Sequence, residues 1–480
     1  MNILIQCGDH LENQHRIITL AATLKGFGCS PIVLMYSKEK GRFFENFGIR
    51  TIALEDHIST APVEKGTTVD SFLEEGIKYN DVLQPEQQRR PRVGWPGQRT
   101  RTISDIHRNY GAIKSIIDTC KPAQIVVWNG FTGYVANILR LIANNRNIPS
   151  AFLERGLIKN SLFIDRKGVN GASSLSDVTP EFIDSLVLTP EETQNVTDLF
   201  NLHPPQPETP SSLQRKVFFP LQVQLDTNII MYSPYKSMRE VFFQIYDKLN
   251  SHESQFLVRP HPEELPETLP NMPRYENVKT TNKETLEHWI DWSDVVVTIN
   301  STVGLEALIR GKKVISLGDS IYSAAGLTSS LSKELDLSNR ELHIRLTKYL
   351  AYVLRTNLLI SNGLNNALVV GTQLNLDENE YLPLDNLEAD IPSLQEATIE
   401  LDFPLTTTLD LTYRKNNVKV DNAWIIGIAK KHVNAKRYLI LPHKSKPTTA
   451  TAIKVVNESK SAKADKRFSK TIDIYGNIVR

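Results

Sequence analysis

Short apolar runs of strand type alternate with amphipathic helical patterns along two separate stretches of this chain, and a segment that can join neither, HPPQPETP (203–210), stands between them. Four prolines in those eight residues remove backbone donors and fix φ, so neither helix nor sheet continues through. Upstream, NILIQ (2–6) reads as a strand, 14–26 as a helix with Ile17, Ile18, Leu20, Ala21 and Leu24 at its apolar positions, and PIVLMY (31–36) as the next strand. The pattern recurs with helical 103–119, QIVVWNG (124–130), helical 133–146 and PSAFLERG (149–156). Thr189-Pro190-Glu191-Glu192 opens a helix to about Leu202, with Thr as cap, Pro at the first position and Glu at the third. Downstream come KVFFPLQVQLDT (216–227), helix 237–250, QFLVRP (255–260), a helix opened by Thr281-x-x-Glu284, DVVVTIN (294–300), helix 302–310, KKVISLG (312–318) and helix 340–356. Such alternation predicts an α/β fold of two doubly wound Rossmann-like domains, residues 1–205 and 206–364, with parallel sheets covered by helices on both faces. From 365 to 480 the alternation lapses into polar, Thr- and Asn-rich sequence with short runs such as ATIELDF and AWIIGIA, which predicts a β-rich or partly disordered extension.

With 480 residues the chain can bury two or three cores without metals or disulfides. Its 55 Lys plus Arg against 54 Asp plus Glu create no global field that would draw it onto nucleic acid, so any anion recognition is local. Cys7, Cys29 and Cys120 are odd in number and widely spaced, which fits buried thiols in a reducing compartment. The opening MNILIQCGDH has neither the basic flank nor the apolar length of a signal or a membrane span, and the expected location is cytoplasmic.

Three stretches concentrate chemistry. In VVVTINSTVGLEALIRG (295–311) a strand ends at Asn300-Ser301-Thr302 just where a helix begins. In an open α/β sheet that point faces the ligand crevice, and helix amides there suit a phosphate; the same residues are also preferred helix caps. In QFLVRPHPEE (255–264), Pro260 and Pro262 stiffen the backbone around His261 at a strand end, with Arg259 before it, so the imidazole and guanidinium would complete an anion pocket. In FFPLQVQLDT (218–227), period-two alternation puts Gln222, Gln224 and Asp226 on one face, opening either to a cleft between domains or, at an edge, to solvent. A fourth stretch, AFLERGLIKNSLFIDRKGVN (151–170), places Glu154 and Arg155 at a strand end, followed by Asp165 and a turn at Asn170. The chain has no G-x-x-x-x-G-K-[ST] loop, no G-x-G-x-x-G loop and no Asp-x-Asp, so a leaving phosphate must be neutralised by helix amides, His261 and cationic side chains. RRPRVGWPGQRTR (89–101) carries five arginines and Trp95 without an acid; it would suit an anionic glycan or lipid-linked acceptor, or simply be a solvated loop.

RPHP (259–262), INSTVGLEALIRGKKVI (299–315), PLQVQLDT (220–227) and LERGL…D…GVN (153–170) together resemble the capsule-polysaccharide synthesis family, which includes the retaining β-Kdo glycosyltransferases of capsule and O-antigen assembly. The resemblance covers about residues 1–360. Bacterial sialyltransferases and teichoic-acid polymerases carry a similar His-Pro and Ser-Thr pair, while the Gln-x-Gln-x-Asp and Glu-Arg-Gly segments narrow the match. It implies a GT-B-like fold with an acceptor-side first domain and a donor-side second domain, using CMP-Kdo with no metal or other cofactor. His261, Asn300, Ser301 and Thr302 would hold the CMP phosphate, with Arg259, Gln224 and Lys236 also on the donor. Asp226 would be the nucleophile and Glu154 the acid or base toward the acceptor hydroxyl. Arg155, Arg259 or Lys236 would take the sugar carboxylate, and Arg155, Asp165, Asn170 and Trp95 are the acceptor-side candidates. The implied partners are the CMP-sugar, an oligosaccharide or lipid-linked glycan, and the inner membrane face or its polysaccharide machinery as a peripheral contact, with no nucleic acid. A CMP-sialic acid or CDP-polyol transferase would share the phosphate pocket, and a non-catalytic polysaccharide-binding or scaffold protein is the alternative of another class. On this basis His261→Ala is expected to weaken CMP binding by roughly 1.5–3 kcal/mol, measured by titration calorimetry; unchanged affinity would remove His261 from the pocket.

Overall fold

The computed structural model describes residues 1–7, 11–58, 63–89, 96–205, 215–223, 226–235, 237–262, 275–360, 363 and 365–382, and five later strands. Residues 13–382 with the first strand form one compact unit, and the C-terminal strands a second. The first sheet is built on β1 (Asn2–Gln6), β2 (Ser30–Met35), β3 (Arg50–Ala53), β4 (Gln124–Trp128), β5 (Ser150–Arg155) and β6 (Leu162–Asp165). The second contains β7 (Lys216–Pro220), β8 (Gln255–Arg259), β9 (Val278–Thr280), β10 (Val295–Thr298) and β11 (Lys313–Ser316). β12 (Leu358–Leu359) then returns to the first sheet, whose order is β12-β6-β5-β4-β1-β2-β3; the second runs β11-β10-β7-β8-β9. The second sheet is parallel throughout, whereas β6 and β12 are antiparallel additions at one edge of the first. In both sheets the strand order reverses beside the first strand, β1 or β7, which opens a crevice at the carboxyl ends of the strands.

The helices start where local chemistry says they should. Thr189 makes the full capping box with Glu192 for the helix Pro190–Phe200. The box expected at Thr281 and Glu284 is corrected: Glu284 takes a left-handed φ of 60°, and Thr285 caps the helix Leu286–Trp292 by accepting from the His288 amide. The helix predicted from 103 begins earlier, at Pro96, where proline suits the first turn, and runs to Cys120. Ser338 and Glu341 form a second capping box for Asn339–Thr356, the long helix that carries the chain back to the first sheet.

That return moves the expected boundary at 364. Leu358 and Leu359 pair with Phe163 and Leu162 of β6, and the following helix, Asn366–Leu374, buries Val369, Val370 and Leu374 in the core that holds Ile3, Ile5 and Val126. A two-residue strand has no periodicity to read, and the helix falls where only extension was expected. The helix Asn339–Thr356 packs against Pro180–Ser185 and Pro190–Phe200, burying Leu346, Tyr349, Leu350, Val353 and Leu354, each leucine worth about 2 kcal/mol of transfer free energy. Arg345 forks onto the Asp184 carboxylate at 2.9 and 2.5 Å, and Arg355 pairs with Glu192.

Asp165 anchors the same junction. Sequence alone offered it as an acceptor-side residue; the structure corrects this, because the side chain is fully buried and already accepts from five donors. These are the amides of Lys167, Gly168 and Ser174, the Ser174 hydroxyl and the Asn357 side-chain amide, at 2.6 to 3.2 Å. Its role is to lock the loop after β6 to the end of the long helix. All three cysteines are buried and free. No helix among the described residues is long and apolar enough to cross a membrane.

In the C-terminal unit, β13 (Ala397–Glu400), β14 (Arg437–Pro442), β15 (Ala450–Asn457), β16 (Phe468–Asp473) and β17 (Ile478–Val479) form an antiparallel meander. β15 and β16 fall partly within the Lys-rich stretch 454–471 expected to be disordered; AWIIGIA lies outside the described residues. For the main unit, Asp165→Asn places an amide among five donors and is expected to lower stability by on the order of 3 kcal/mol, read from the urea midpoint; an unchanged midpoint would show that the anion does not hold this junction.

Candidate active site

β10, β7 and β8 lie side by side and parallel, so their carboxyl ends open onto one rim. The strand expected through residue 227 stops at Pro220, and one further sheet bond, from the Leu221 amide to the Arg259 carbonyl, is its last. Gln222 then turns inward. Its side-chain oxygen accepts from the Ile299 and Asn300 amides and the Thr298 hydroxyl at 3.2 to 3.3 Å, and its nitrogen donates to Asn300 Oδ1 at 3.0 Å. Asn300, 6% exposed, donates through Nδ2 to the carbonyls of Asn228 and Tyr232. Both of its amide hydrogens are therefore engaged, and Asn300 shapes the rim instead of offering a donor to a phosphate.

Ser301 caps the helix Thr302–Ile309, its hydroxyl accepting from the Val303 amide at 3.2 Å. Thr302 is exposed at the first helical position, where the backbone amide has no carbonyl of its own helix to bond and carries the positive end of the helix dipole. The Tyr322 hydroxyl donates to the Ser301 carbonyl at 2.6 Å, and Gly304 is what lets it approach, since a Cβ there would lie 2.2 Å from the Tyr322 oxygen. His261 is half-buried just past β8, and Arg259 keeps a buried Nε with no hydrogen-bond partner. The sequence-predicted phosphate residues of the second half thus share one rim, although Asn300 and Ser301 act mainly through the backbone they fix.

Asp226 follows as the cap of a short helix, Thr227–Tyr232. Its Oδ1 accepts from the Asn228 amide at 2.8 Å, and no hydrogen bond to the second carboxylate oxygen is made among the described residues. The helix packs against the turn Asn170–Ala172 of the first half. Asn170 takes a left-handed φ of 55°, and a Cβ on Gly171 would sit 3.1 Å from Tyr232 Cβ and 3.0 Å from Asp319 Cβ, so the two halves meet here with no room for a side chain. Asn170 therefore shapes this seam.

From the first half, β4 ends at Trp128 and the chain takes left-handed φ at Asn129 and Gly130. Asn129 Nδ2 donates to Glu154 Oε2 and the Arg155 amide donates to Oε1, both at 3.0 Å. Burial pushes the Glu154 carboxyl above the ordinary value of 4.5, those two donors pull it back, and the negative charge of Asp226 pushes it up again. The two carboxyl groups named from sequence, one from each half, are therefore close enough to feel one another. Arg155 is exposed at the end of β5. Gln224, Lys236 and Trp95 lie outside the described residues. Among those described, no group of three or more His, Cys, Asp or Glu side chains converges as metal ligands would.

Sequence reading took Gln222 only as part of a polar strand face and passed over Asn129 and Tyr232. An Asn-Gly pair closing an apolar strand was a usable signal for Asn129, the same kind of signal given by Asn300-Ser301.

Residues 203–359 match the family model for capsule polysaccharide biosynthesis protein. Among curated proteins, the chain is 31% identical over 206 residues to Protein FixF of Sinorhizobium fredii, an alignment covering 42% of this chain and 50% of FixF. It is 34% identical over 129 residues to the lipopolysaccharide-processing protein LpsZ of Rhizobium meliloti, covering 26% of this chain and 29% of LpsZ. The chain thus spans half or less of the curated relatives it matches. Among solved structures, it resembles the β-Kdo 2,7 transferase of Thermosulfurimonas dismutans KpsC at 20% identity and a TM-score of 0.37, over 53% of this chain and 84% of that one. The β-Kdo 2,4 transferase of the same protein matches at 19% identity and a TM-score of 0.34, over 47% and 79%.

The upward shift of Glu154 has a thermodynamic consequence. A carboxyl that holds its proton more tightly when folded contributes stability fully present below 4.5 and lost as pH rises through the folded value. Thermal unfolding of wild type and Glu154→Gln across pH is expected to show a wild-type advantage that shrinks as pH climbs above 4.5; a growing advantage would contradict the burial.

Proposed function

We propose that this chain is a retaining glycosyltransferase that moves Kdo from CMP-Kdo to a surface polysaccharide or glycolipid acceptor, preserving the β configuration. What supports this reading is that Glu154 of one half feels the charge of Asp226 of the other, and that Asp226 follows the strand that runs between β8 and β10, whose ends form a rim suited to phosphate. The family match over 203–359 supports the polysaccharide context, and the sequence resemblance supplies the sugar.

In the first step the second carboxylate oxygen of Asp226 attacks the anomeric carbon. The bond from that carbon to the phosphate oxygen breaks, and its electron pair leaves with CMP. The developing charge is met by the exposed helix start at Thr302 and by His261 and Arg259 at the end of β8. In the second step the Glu154 carboxylate takes the proton of the acceptor hydroxyl, whose oxygen displaces Asp226 from the same carbon. Two inversions give net retention. A raised pKa makes the ionised Glu154 a stronger base and brings it nearer the working pH. No metal or other cofactor is needed in this scheme, since the charged groups on the rim neutralise the phosphate. The protein would work in the cytoplasm, with its glycan acceptor presented at the inner membrane face.

Asp226→Asn and Asp226→Cys incubated with CMP-Kdo test the nucleophile. The expected outcome is loss of turnover by on the order of 10³-fold or more, with a mass increase of one sugar residue trapped on wild type or on the cysteine variant. Full activity in both variants would show that transfer does not pass through Asp226. The acidic limb of the wild-type pH–rate profile is expected above 4.5 and assigned to Glu154.

A further inference from the structure

A half-buried cation beside the turn that holds Glu154 makes no ion pair among the described residues, although the Asp81 carboxylate acts on it at longer range. Arg140 lies on the helix Gly133–Asn145, with its guanidinium 4.5 Å over the Phe131 ring. Nε donates to the Gly130 carbonyl at 3.2 Å and Nη2 donates to Asn137 Oδ1 at 3.4 Å, while Nη1 makes no hydrogen bond among the described residues. No carboxylate pairs with it among the described residues, and burial pulls its pKa down. The turn that holds it, Asn129 to Phe131, is the turn whose Asn129 side chain holds Glu154.

From the other half comes Tyr232, at the end of the helix that Asp226 caps. Its carbonyl is fixed by the Asn300 side chain and the Asp319 amide, its Cβ lies against Gly171, and its hydroxyl is buried with no hydrogen-bond partner. The helix Thr227–Tyr232 and the helix of Arg140 both pack on the helix Tyr79–Arg89, so the two side chains approach the same place from opposite halves. Burial pushes the phenol up to about 12, so it is a donor at every working pH, and it senses both Arg140 and Glu154. The sealed, unpartnered hydroxyl is unfavourable alone, and the half-buried guanidinium beside it has no ion-pair partner among the described residues. A planar anion would satisfy both.

We propose that Arg140 and Tyr232 form the subsite for the donor sugar's carboxylate, the guanidinium fork taking the anion and the phenol donating a further hydrogen bond. This deepens the transferase reading above and rests on it. In a ulosonic acid the carboxylate is bonded to the anomeric carbon itself, so it must lie beside the reacting atom, between Asp226 and Glu154. Arg140 is tied to that point through the Gly130 carbonyl, in the turn whose Asn129 side chain orients Glu154. Arg155, Arg259 and Lys236, the cations named from sequence, then serve elsewhere.

The test uses the full chain with CMP-Kdo, comparing the donor KM, the inhibition constant of CMP and the acceptor KM. Arg140→Gln is expected to raise the donor KM by about tenfold or more, leaving the CMP constant and the acceptor KM within about twofold; Arg140→Lys recovers only part because it loses the fork. Tyr232→Phe is expected to raise the donor KM several-fold while the melting temperature holds or rises, since the hydroxyl it removes has no partner to lose. CMP and donor weakening together, a change in acceptor KM instead, or a lower melting temperature in Tyr232→Phe would each overturn the assignment. If wild type fails to turn over CMP-Kdo, the transferase reading falls separately. Ligand-observed NMR with free Kdo and its uncharged C1 amide then decides the subsite: preference for the acid, lost in Arg140→Gln, supports it, and equal binding overturns it.

Discussion

A buried amide pair, Gln222 with Asn300, holds the working end of this molecule together. One oxygen of Gln222 gathers the last residues of β10, and the Asn300 side chain reaches on to the carbonyls that bound the Asp226 helix. Each bond is worth about 1 kcal/mol net, but removing either partner strands several buried polar groups at once. The cap at Ser301, the turn to Asp226 and the position of Tyr232 all inherit their geometry from this one interlock. Its location beside β7, where the strand order reverses, puts that geometry at the mouth of the crevice.

Much of the architecture was legible because parallel strands buried on both faces must be apolar at nearly every position, as VVVT and FLV are. Caps at Thr189 and Ser301 were readable for an equally local reason. The end of β7 was not, since the sequence alternates at Leu221, Val223 and Leu225 as a half-exposed strand would, although the strand ends at Pro220 and the Gln222 side chain already turns inward. The return at Leu358 and Leu359 was invisible because two residues have no period, and their pairing with β6 is decided by the long helix that delivers them.

The carboxylates of the proposed site were named through family resemblance, while the groups around them were not. Arg140 sits in a regular amphipathic helix, where an arginine reads as a solvated surface residue; only the fold places it against Phe131 with no ion pair among the described residues. Asp165 misled in the opposite direction. Its neighbours in sequence look like an exposed turn, and only the arrival of Asn357 from nearly two hundred residues away encloses it.

The path of the chain through β12 has a mechanical meaning. Because it leaves the first sheet after β6 and re-enters at that strand's outer edge, the half built on the second sheet is an excursion stitched to its neighbour at both ends. Severing the proline-rich connector would leave the second thread intact. Two anchor points also define an axis, so opening and shutting of the crevice is confined to bending about that line, and sliding or free rotation of one half over the other is suppressed.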